Sequence, residues 1–335
     1  MCRARALAQG VAVVKSLVAR APTRLDFGGG WTDVPPYSER EGGRVCSVAI
    51  ASHATVRLRR VNDHHARPAP NVGSARIPDQ RLVEIALTRS GVTDVGVELR
   101  SDFPIGAGLG GSSATGVAIA GALAAWRGET LDRAALAERS RATEVDGLQV
   151  PGGRQDHYAA AYGGALALDF GTTTRVRRIP LSAETRKALE RRCIVAYTGQ
   201  SRISGETVTA VLDAYRVRDP VVLECLAHMK ALATQMEDAL CRDDLDELGR
   251  LVGEHWTHQR ALHPSIPTPL IDEILARARI AGALGGKALG ASGGGCVLVM
   301  AANNNADFVR RTIGEMAELV PVAIDESGFT WMAEE

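Results

Sequence analysis

The sequence lacks an excess of charge of either sign and lacks paired cysteines. Its 335 residues include 39 Lys+Arg and 39 Asp+Glu, so it has neither a global basic field for nucleic acid nor an acidic tail. The six cysteines stand far apart with no CxxC, which is typical of a reducing compartment and argues against a disulfide framework. An anionic ligand must therefore be held by a local site.

The sequence also lacks a convincing membrane or secretory segment. Residues 103–126 carry no charge over 24 residues, but Pro104 and six glycines would leave backbone groups unsatisfied in a bilayer. The start, MCRARALAQGVAVVKSL, has a short apolar run broken by Lys15 and no small-residue cleavage pattern. We therefore expect a cytoplasmic protein without a membrane or nucleic-acid partner.

Hydrophobic patterning predicts strands first and helices later. Strands are predicted near 16–24, 45–59, 95–99, 165–170, 174–179, 193–197 and 296–300. From about 203 to 283 the pattern is almost entirely helical. This order favours an α+β fold over a regular βαβ chain, and the length suggests two domains. The boundary is predicted at 185/186, giving domains 1–185 and 186–335.

The strongest local signal is PIGAGLGGSSATG (104–116), which lies between a predicted strand and a predicted helix. Glycines let backbone N–H groups approach an anion, and the helix N-terminus adds a positive dipole end. We therefore predict a phosphate-binding loop. A plain serine N-cap is the alternative, but capping needs one serine and not four glycines in six residues. The predicted cofactor-binding residues are Gly106, Ala107, Gly108, Leu109, Gly110, Gly111, Ser112 and Ser113.

Two familiar phosphate loops do not fit this segment. Gly106, Gly108 and Gly111 satisfy GxGxxG, but the helix is followed by another helix and not by the strand that a dinucleotide fold requires. A Walker loop needs a lysine, and this segment has none. The positive charge must therefore come from a metal ion and from backbone N–H groups.

Two more glycine-rich segments complete a recognisable order. They are APTRLDFGGGWTD (21–33) and GGKALGASGGGC (285–296). Together with residues 104–116, which we call the serine loop, they resemble the GHMP kinase superfamily, which includes galactokinase, homoserine kinase and mevalonate kinase. The resemblance implies a ribosomal S5 domain 2-like N-terminal domain, a ferredoxin-like helical C-terminal domain, and ATP and Mg²⁺ as cofactors.

Within that superfamily, four segments resemble D-glycero-D-manno-heptose 7-phosphate kinases: GGGWTDVPPYSEREGG (28–43), GGRQDHYAAAYGG (152–164), YTGQSRIS (197–204) and GALGGKALGASGGGC (282–296). Trp31 and Asp26 are instead similar to the fucokinase pattern. The resemblance implies a kinase for the anomeric hydroxyl of the heptose phosphate. An L-fucose-like or other sugar 1-kinase is the in-class alternative, and a non-catalytic sugar or nucleotide sensor is the alternative from another class.

The resemblance also implies residue roles. Asp156 would accept the sugar hydroxyl's proton and Arg24 would neutralise charge or lower the pKa of Asp156, while Ser112 and Glu144 would hold Mg²⁺. Exposed helix-face carboxylates are the alternative for both acids. The implied substrate-binding residues are Asp26, Gly29, Gly30, Trp31, Thr32, Asp33, Gly153, Arg202, Gly293 and Gly294. The expected partner is a small-molecule sugar or sugar phosphate, with a homodimer left open.

Several of these residues have competing interpretations. Asp33 could form an Asx turn before Pro35. Arg202 could bind a substrate phosphate or begin a helix, and Lys287 could approach phosphate or merely close a strand. His255 and His258 share a helix face and could bind zinc, but their order is not HExxH, so a polar helix face is the favoured interpretation.

Overall fold

The architecture comes from a computed structural model, which describes residues 16–61, 77–104, 106–149, 151–200 and 205–334. The described strands are β1 Ser16–Gly28, β2 Gly43–Arg60, β3 Val95–Ser101, β4 Ala165–Phe170, β5 Thr174–Ile179, β6 Cys193–Tyr197, β7 Ala283–Ala288, β8 Cys296–Ala301, β9 Glu318–Val320 and β10 Thr330–Glu334.

The described helices are α1 Ile77–Ser90, α2 Gly111–Trp126, α3 Arg133–Arg141, α4 Gln155–Tyr162, α5 Ala183–Arg192, α6 Gly205–Arg216, α7 Pro220–Cys241, α8 Leu245–Ala261, α9 Pro269–Ile280 and α10 Ala306–Gly314. Short π-helical turns cover Ser38–Gly42 and Ala142–Asp146, and a 3₁₀ turn covers Asn303–Asn305.

The strands form two antiparallel sheets. The first has the order β10-β1-β2-β4-β5, and the long strand β2 also pairs with β3. The second has the order β7-β8-β6-β9. The apolar helix α2 packs against β1 and β2, while α8 packs against β7. The outcome is an α+β fold, as the order of strands and helices predicts.

Apolar burial joins the two sheets through β1. Leu25 and Phe27 of β1 are fully buried in a cluster with side chains of α7, α8 and the second sheet. Met229 and Met236 of α7 are also fully buried core residues. This burial holds β1, which carries Arg24 and Asp26, between the two sheets.

The pattern fixes some elements better than others. The predicted strands 165–170, 174–179 and 193–197 are confirmed. After α3 the chain continues directly into a π-helical turn. The last strand, β10, returns to pair with β1. The predicted domain boundary at 185/186 falls inside α5, and it stays a prediction.

In the part of the chain that the structure describes, no helix is both long enough and apolar enough to cross a membrane.

The close approach of α8 to β7 yields a stability prediction. A Cβ at Gly285 would lie 2.1 Å from the Gly249 carbonyl oxygen and 2.6 Å from the Gly253 nitrogen, both in the backbone of α8. Gly285→Ala should therefore lower the free energy of unfolding by about 1–3 kcal/mol, as overpacking does. Urea denaturation measures this, with Gly205→Ala as the control because nothing lies within 4 Å of its Cβ position. Equal stability of Gly285→Ala and wild type would contradict the packing described.

Candidate active site

The three glycine-rich segments meet in space. The backbone N–H of Arg24 donates to the Leu109 carbonyl at 3.0 Å, which ties β1 to the serine loop. The backbone N–H of Cys296 donates to the Ala107 carbonyl at 2.8 Å, which ties the third segment to the same loop. Gly108 adopts φ +73°, and a Cβ there would lie 2.4 Å from the Leu289 carbonyl oxygen. The close approach therefore requires glycine.

The N-terminus of α2 has no side-chain cap. Gly110 precedes it in the left-handed conformation (φ +77°), and no side chain of the described residues accepts a hydrogen bond from its first turn. By contrast, α3, α5, α7, α8 and α9 each begin at a side chain that accepts a backbone N–H. The alternative of a serine N-cap is therefore wrong: Ser112 is exposed and the Ser113 hydroxyl donates to Glu144 instead. Uncapped N–H groups at a helix start suit a phosphate.

Arg24 connects the serine loop to Asp156. Its Nη1 donates to the Gly108 carbonyl at 2.7 Å, and its Nη2 lies 2.7 Å from Oδ1 of Asp156. Arg24 is buried and is therefore not a solvent-exposed residue of an edge strand. Asp156 stands in the first turn of α4, and a Cβ at Gly110 would lie 3.0 Å from its carboxyl carbon. The ion pair of Arg24 and Asp156 thus lies directly against the serine loop.

The environment makes Asp156 a stronger base than an ordinary aspartate. Loss of solvation raises the pKa of Asp156, while the charges of Arg24 and His157 oppose that rise. The negative charges of Asp26 and Glu144 raise the pKa further. The sequence predicts that Arg24 lowers this pKa; Arg24 does act in that direction, but the net pKa is raised because desolvation outweighs it.

Glu144 belongs to the π-helical turn, and its carboxylate contacts the first turn of α2. Oε2 accepts a hydrogen bond from Ser113 Oγ at 2.9 Å and lies 3.1 Å from Nε2 of His157. Burial raises the pKa of Glu144, but His157, Ser112 and Ser113 together outweigh burial and leave it below its ordinary value. Nδ1 of His157 in turn lies 2.9 Å from Ser140 Oγ, which orients the ring. Glu144 is therefore not a free surface acid.

These donors fit Mg²⁺ as the sequence expects. A carboxylate and a serine hydroxyl stand together at an uncapped helix start, and hard oxygen ligands are those that Mg²⁺ prefers. Over the described residues, no cluster of three or more His, Cys, Asp or Glu side chains is arranged for a metal. Mg²⁺ does not need one, because it usually keeps waters and binds substrate phosphates alongside one or two carboxylates.

Asp33 caps α4 from a distant part of the chain. Its Oδ2 accepts the backbone N–H groups of Arg154 at 2.8 Å and Gln155 at 3.0 Å. A Cβ at Gly153 would lie 1.9 Å from the same oxygen, so glycine is required there. Burial raises the pKa of Asp33 to about 6, although these two hydrogen bonds oppose the rise. Asp33 thereby positions the helix that carries Asp156, and the contacts it makes are not those of an Asx turn before Pro35.

Asp26 and Lys287 form a buried ion pair between the sheets. Lys287 Nζ lies 3.0 Å from Asp26 Oδ2 and donates to the Asp26 carbonyl oxygen at 3.2 Å. Lys287 is fully buried and the Asp26 side chain is 5% exposed. Burial lowers the pKa of Lys287 and the nearby carboxylate of Asp26 raises it, with a net lowering. Lys287 therefore joins β7 to β1, a role that neither interpretation of the sequence includes.

The first glycine turn is held by hydrogen bonds from both sides. The Gly29 N–H donates to Nε2 of His255 at 2.9 Å, and the Thr32 hydroxyl donates to the Gly29 carbonyl at 2.6 Å. Burial lowers the pKa of His255 well below its ordinary value, so the ring is neutral and can accept. The prediction of a polar helix face is wrong for His255, which is fully buried.

The remaining predicted substrate residues have different surroundings in the structure. Trp31 (φ +77°) packs its ring into the core formed by α6–α9, and no described residue partners its buried Nε1. A Cβ at Gly30 would lie 2.4 Å from Asp26 Oδ2, and one at Gly294 would lie 2.8 Å from the Gln200 carbonyl oxygen. The Gly293 N–H donates to the Ile266 carbonyl. Arg202 lies outside the described residues.

Sequence reasoning misses four residues of this site. They are Gln155, His157, His255 and Lys287 in the roles described above. His157 follows the predicted base directly, which was an available signal. The partners of Lys287 and His255 are more than 200 positions away in sequence, so no local pattern could reveal them.

Comparison with known proteins agrees with this geometry. The model of the GHMP kinases N terminal domain matches residues 80–164, and the model of the GHMP kinases C terminal matches residues 236–318, together half of the chain. The chain belongs to the GHMP kinase family.

Among individual proteins, the chain is 27% identical to the L-fucokinase/L-fucose-1-P guanylyltransferase of Bacteroides fragilis over 92% of its length. It is also 27% identical to the D-glycero-alpha-D-manno-heptose 7-phosphate kinase of Campylobacter jejuni, covering 84% of this chain and 88% of that one. The chain spans 38% of the Bacteroides relative and 31% of the Arabidopsis thaliana bifunctional fucokinase/GDP-fucose pyrophosphorylase.

A solved structure shares the fold at lower identity. The D-glycero-D-manno-heptose 1-phosphate kinase from Bacteroides thetaiotaomicron superposes with a TM-score of 0.74 at 22% identity. The match covers 95% of this chain and 99% of that one, so the fold is shared over nearly the full length.

The burial of Asp33 predicts a pH-dependent stability. Its folded pKa of about 6 is raised above the ordinary 3.8, so its contribution is fully present below pH 3.8 and is lost as pH rises through 6. Relative to Asp33→Asn, the wild type should lose about 2 kcal/mol of unfolding free energy between pH 4 and 7. Urea denaturation across that range measures the difference. Asp238→Asn, at an exposed position on α7, is the control, and a difference that stays constant with pH would contradict the assignment.

Proposed function

We propose that this chain is an ATP-dependent sugar kinase that transfers the γ-phosphate to the anomeric hydroxyl of a sugar. The observation that carries the proposal is the Arg24–Asp156 pair, which lies against the serine loop at the uncapped start of α2. That arrangement puts a proton acceptor beside a phosphate-binding loop, and phosphoryl transfer depends mainly on such positioning.

In the proposed reaction, Asp156 accepts the proton of the sugar hydroxyl. Its raised pKa makes it a better general base near neutral pH than an exposed aspartate. Arg24 fixes the carboxylate by an ion pair and by its own bond to the Gly108 carbonyl. Asp33 holds the N-terminus of α4 and so the position of Asp156. These contacts are all made by the protein's own groups, so the fold itself positions the base.

ATP would be held by the N–H groups of residues 106–113, while Glu144 and the serine hydroxyls would hold Mg²⁺. When bound, Mg²⁺ neutralises charge on the phosphates. The serine loop lacks a lysine, so backbone groups and the metal ion supply the positive charge there.

The first candidate substrate is D-glycero-D-manno-heptose 7-phosphate. It is supported by the four sequence segments and by the Campylobacter jejuni relative, which aligns over most of both chains. Arg202 is the residue proposed to bind the distal phosphate.

The second candidate is an L-fucose-like sugar without a phosphate. One observation favours it: Lys287 is buried in an ion pair with Asp26 and is not free to bind a substrate phosphate. Asp26 and Trp31 also follow the fucokinase pattern, and the Bacteroides fragilis relative aligns over 92% of this chain.

ATP consumption against sugars with and without a terminal phosphate, followed by ³¹P NMR of the product, tests the function. Turnover of the phosphorylated heptose to an anomeric phosphate is the expected result, and Arg202→Gln should then raise its KM. Turnover restricted to unphosphorylated fucose-like sugars would replace the first candidate by the second. Nucleotide binding without turnover of any sugar would overturn the kinase proposal in favour of a sensor.

Asp156→Asn tests the base directly. Removing a general base should lower kcat by roughly 10²–10⁴-fold while sugar binding is largely kept, because the amide cannot accept the proton. Steady-state kinetics and sugar titration by calorimetry measure the two quantities. Asp146→Asn is the matched control because Asp146 is an exposed acid in the adjacent π-helical turn. Wild-type turnover by Asp156→Asn would remove Asp156 from the mechanism.

A further inference from the structure

Four charged side chains meet around one strand at the centre of the site. Arg24 and Asp26 are two residues apart on β1, so their side chains share a face of the strand. Arg24 pairs with Asp156 of α4 at 2.7 Å, and Asp26 pairs with Lys287 of β7 at 3.0 Å. The two cations and two acids thus come from three separate elements.

Asp156 and Lys287 each experience a charge of the other pair: the charge of Asp26 acts on Asp156, and the charge of Arg24 acts on Lys287. Because Arg24 and Asp26 share a face of β1, the geometry leaves a second pairing open, in which Arg24 turns from Asp156 to Asp26. Oδ1 of Asp26 is buried and has no hydrogen-bond partner among the described residues, so it could accept from Arg24.

Stability alone is a weak explanation for Lys287. Taking an ammonium and a carboxylate out of water is costly, and apolar replacements of a buried ion pair are often neutral or stabilising. Lys287 is fully buried, and its ammonium group donates to the carbonyl and carboxylate oxygens of Asp26. Lys287 neutralises the charge of Asp26, so a group close to Asp26 would experience that negative charge if Lys287 were absent.

We propose that Lys287 is a positioning residue for phosphoryl transfer, which neutralises Asp26 and so leaves Arg24 to pair with Asp156. The inference rests on the proposed function, since it takes Asp156 as the proton acceptor. Lys287 touches neither reacting group; it acts through Asp26 and Arg24. Its position within the third glycine-rich segment, which bonds to the serine loop through Cys296, makes the same residue a tie between the second sheet and the site.

Without Lys287, the unpaired carboxylate of Asp26 would draw Arg24 away from Asp156. Asp156 would then lose part of its fixed geometry and of the positive charge that favours its ionised form. The charged and titratable groups that face Asp156 are Arg24 and Asp26 from β1, Asp33 from the following turn, Glu144 from the π-helical turn and His157 from α4. Of these, the loss of Lys287 acts first on Asp26.

The experiment compares Lys287→Met, the double variant Asp26→Asn/Lys287→Met, and Lys187→Met as a control at an exposed position of α5. Circular dichroism first establishes a temperature at which each variant is fully folded. Lys287→Met should lower kcat about tenfold and move the acid limb of the kcat profile about 1 pH unit upward, with KM for ATP nearly unchanged. The double variant should regain most of the lost kcat and the original acid limb, because no anion then competes for Arg24.

A folded Lys287→Met with wild-type kcat and acid limb would overturn the proposal, as would a double variant as slow as the single one. If Lys287→Met does not fold, Asp26→Asn alone gives the converse measurement. Its acid limb should move to lower pH because a negative neighbour of Asp156 has been neutralised, and an unchanged limb would overturn the proposal.

The same data separate this inference from the proposed function. If Asp156→Asn retains wild-type turnover, the assignment of the base fails and the inference fails with it. If Asp156→Asn is slow while Lys287→Met matches wild type, only the role of Lys287 is wrong.

Discussion

Arg24 is the side chain on which the geometry of the site depends. Its backbone N–H bonds to Leu109, one guanidinium nitrogen bonds to Gly108 and another pairs with Asp156. The strand β1, the serine loop and α4 therefore cannot move independently. A planar guanidinium with several donors in fixed directions can hold a carbonyl and a carboxylate together, which a lysine could not do with the same geometry.

The site concentrates acids, and each has a different source of positive charge. Asp156 has a guanidinium, Asp26 an ammonium, Glu144 an imidazole with two hydroxyls, and Asp33 the N-terminus of α4. Helix N–H groups supply only partial charge, which explains why the pKa of Asp33 is raised while that of Glu144 is lowered. These differences separate the acids by role, since a base needs an available lone pair and a cap needs to stay in place.

How well the sequence predicts the site depends on the range of the interaction. The serine loop and the pair of Glu144 with Asp156 could be predicted because glycine content and motif spacing are local properties. The α+β class and most strands follow for the same reason, since they depend on periodicity. The return of β10 to β1 could not be predicted, because strand pairing across more than 300 residues leaves no local trace.

The same limit explains why the local alternatives fail at individual residues. A serine after glycines is typical of an N-cap, yet Ser113 turns to Glu144, whose position depends on the packing of a later segment. Asp33 precedes two prolines, which favours a local turn, but burial beside α4 gives it two N–H partners from the distant segment 154–155. In both cases a tertiary contact replaces the local hydrogen bond that the alternative interpretation, an N-cap or an Asx turn, requires.

Charge also bears on the substrate. A sugar phosphate would bring negative charge to a site that already contains four acids, and the two buried cations of β1 and β7 are each paired with one of them. A neutral sugar adds no such charge and needs only hydrogen-bond partners, such as Trp31 Nε1, which is buried and unpaired among the described residues. Recognition of a phosphorylated sugar therefore requires a cation beyond Arg24 and Lys287. The choice between the two proposed substrates is thus a question of charge compensation at the edge of the site, while the phosphoryl-transfer machinery at its centre serves either one.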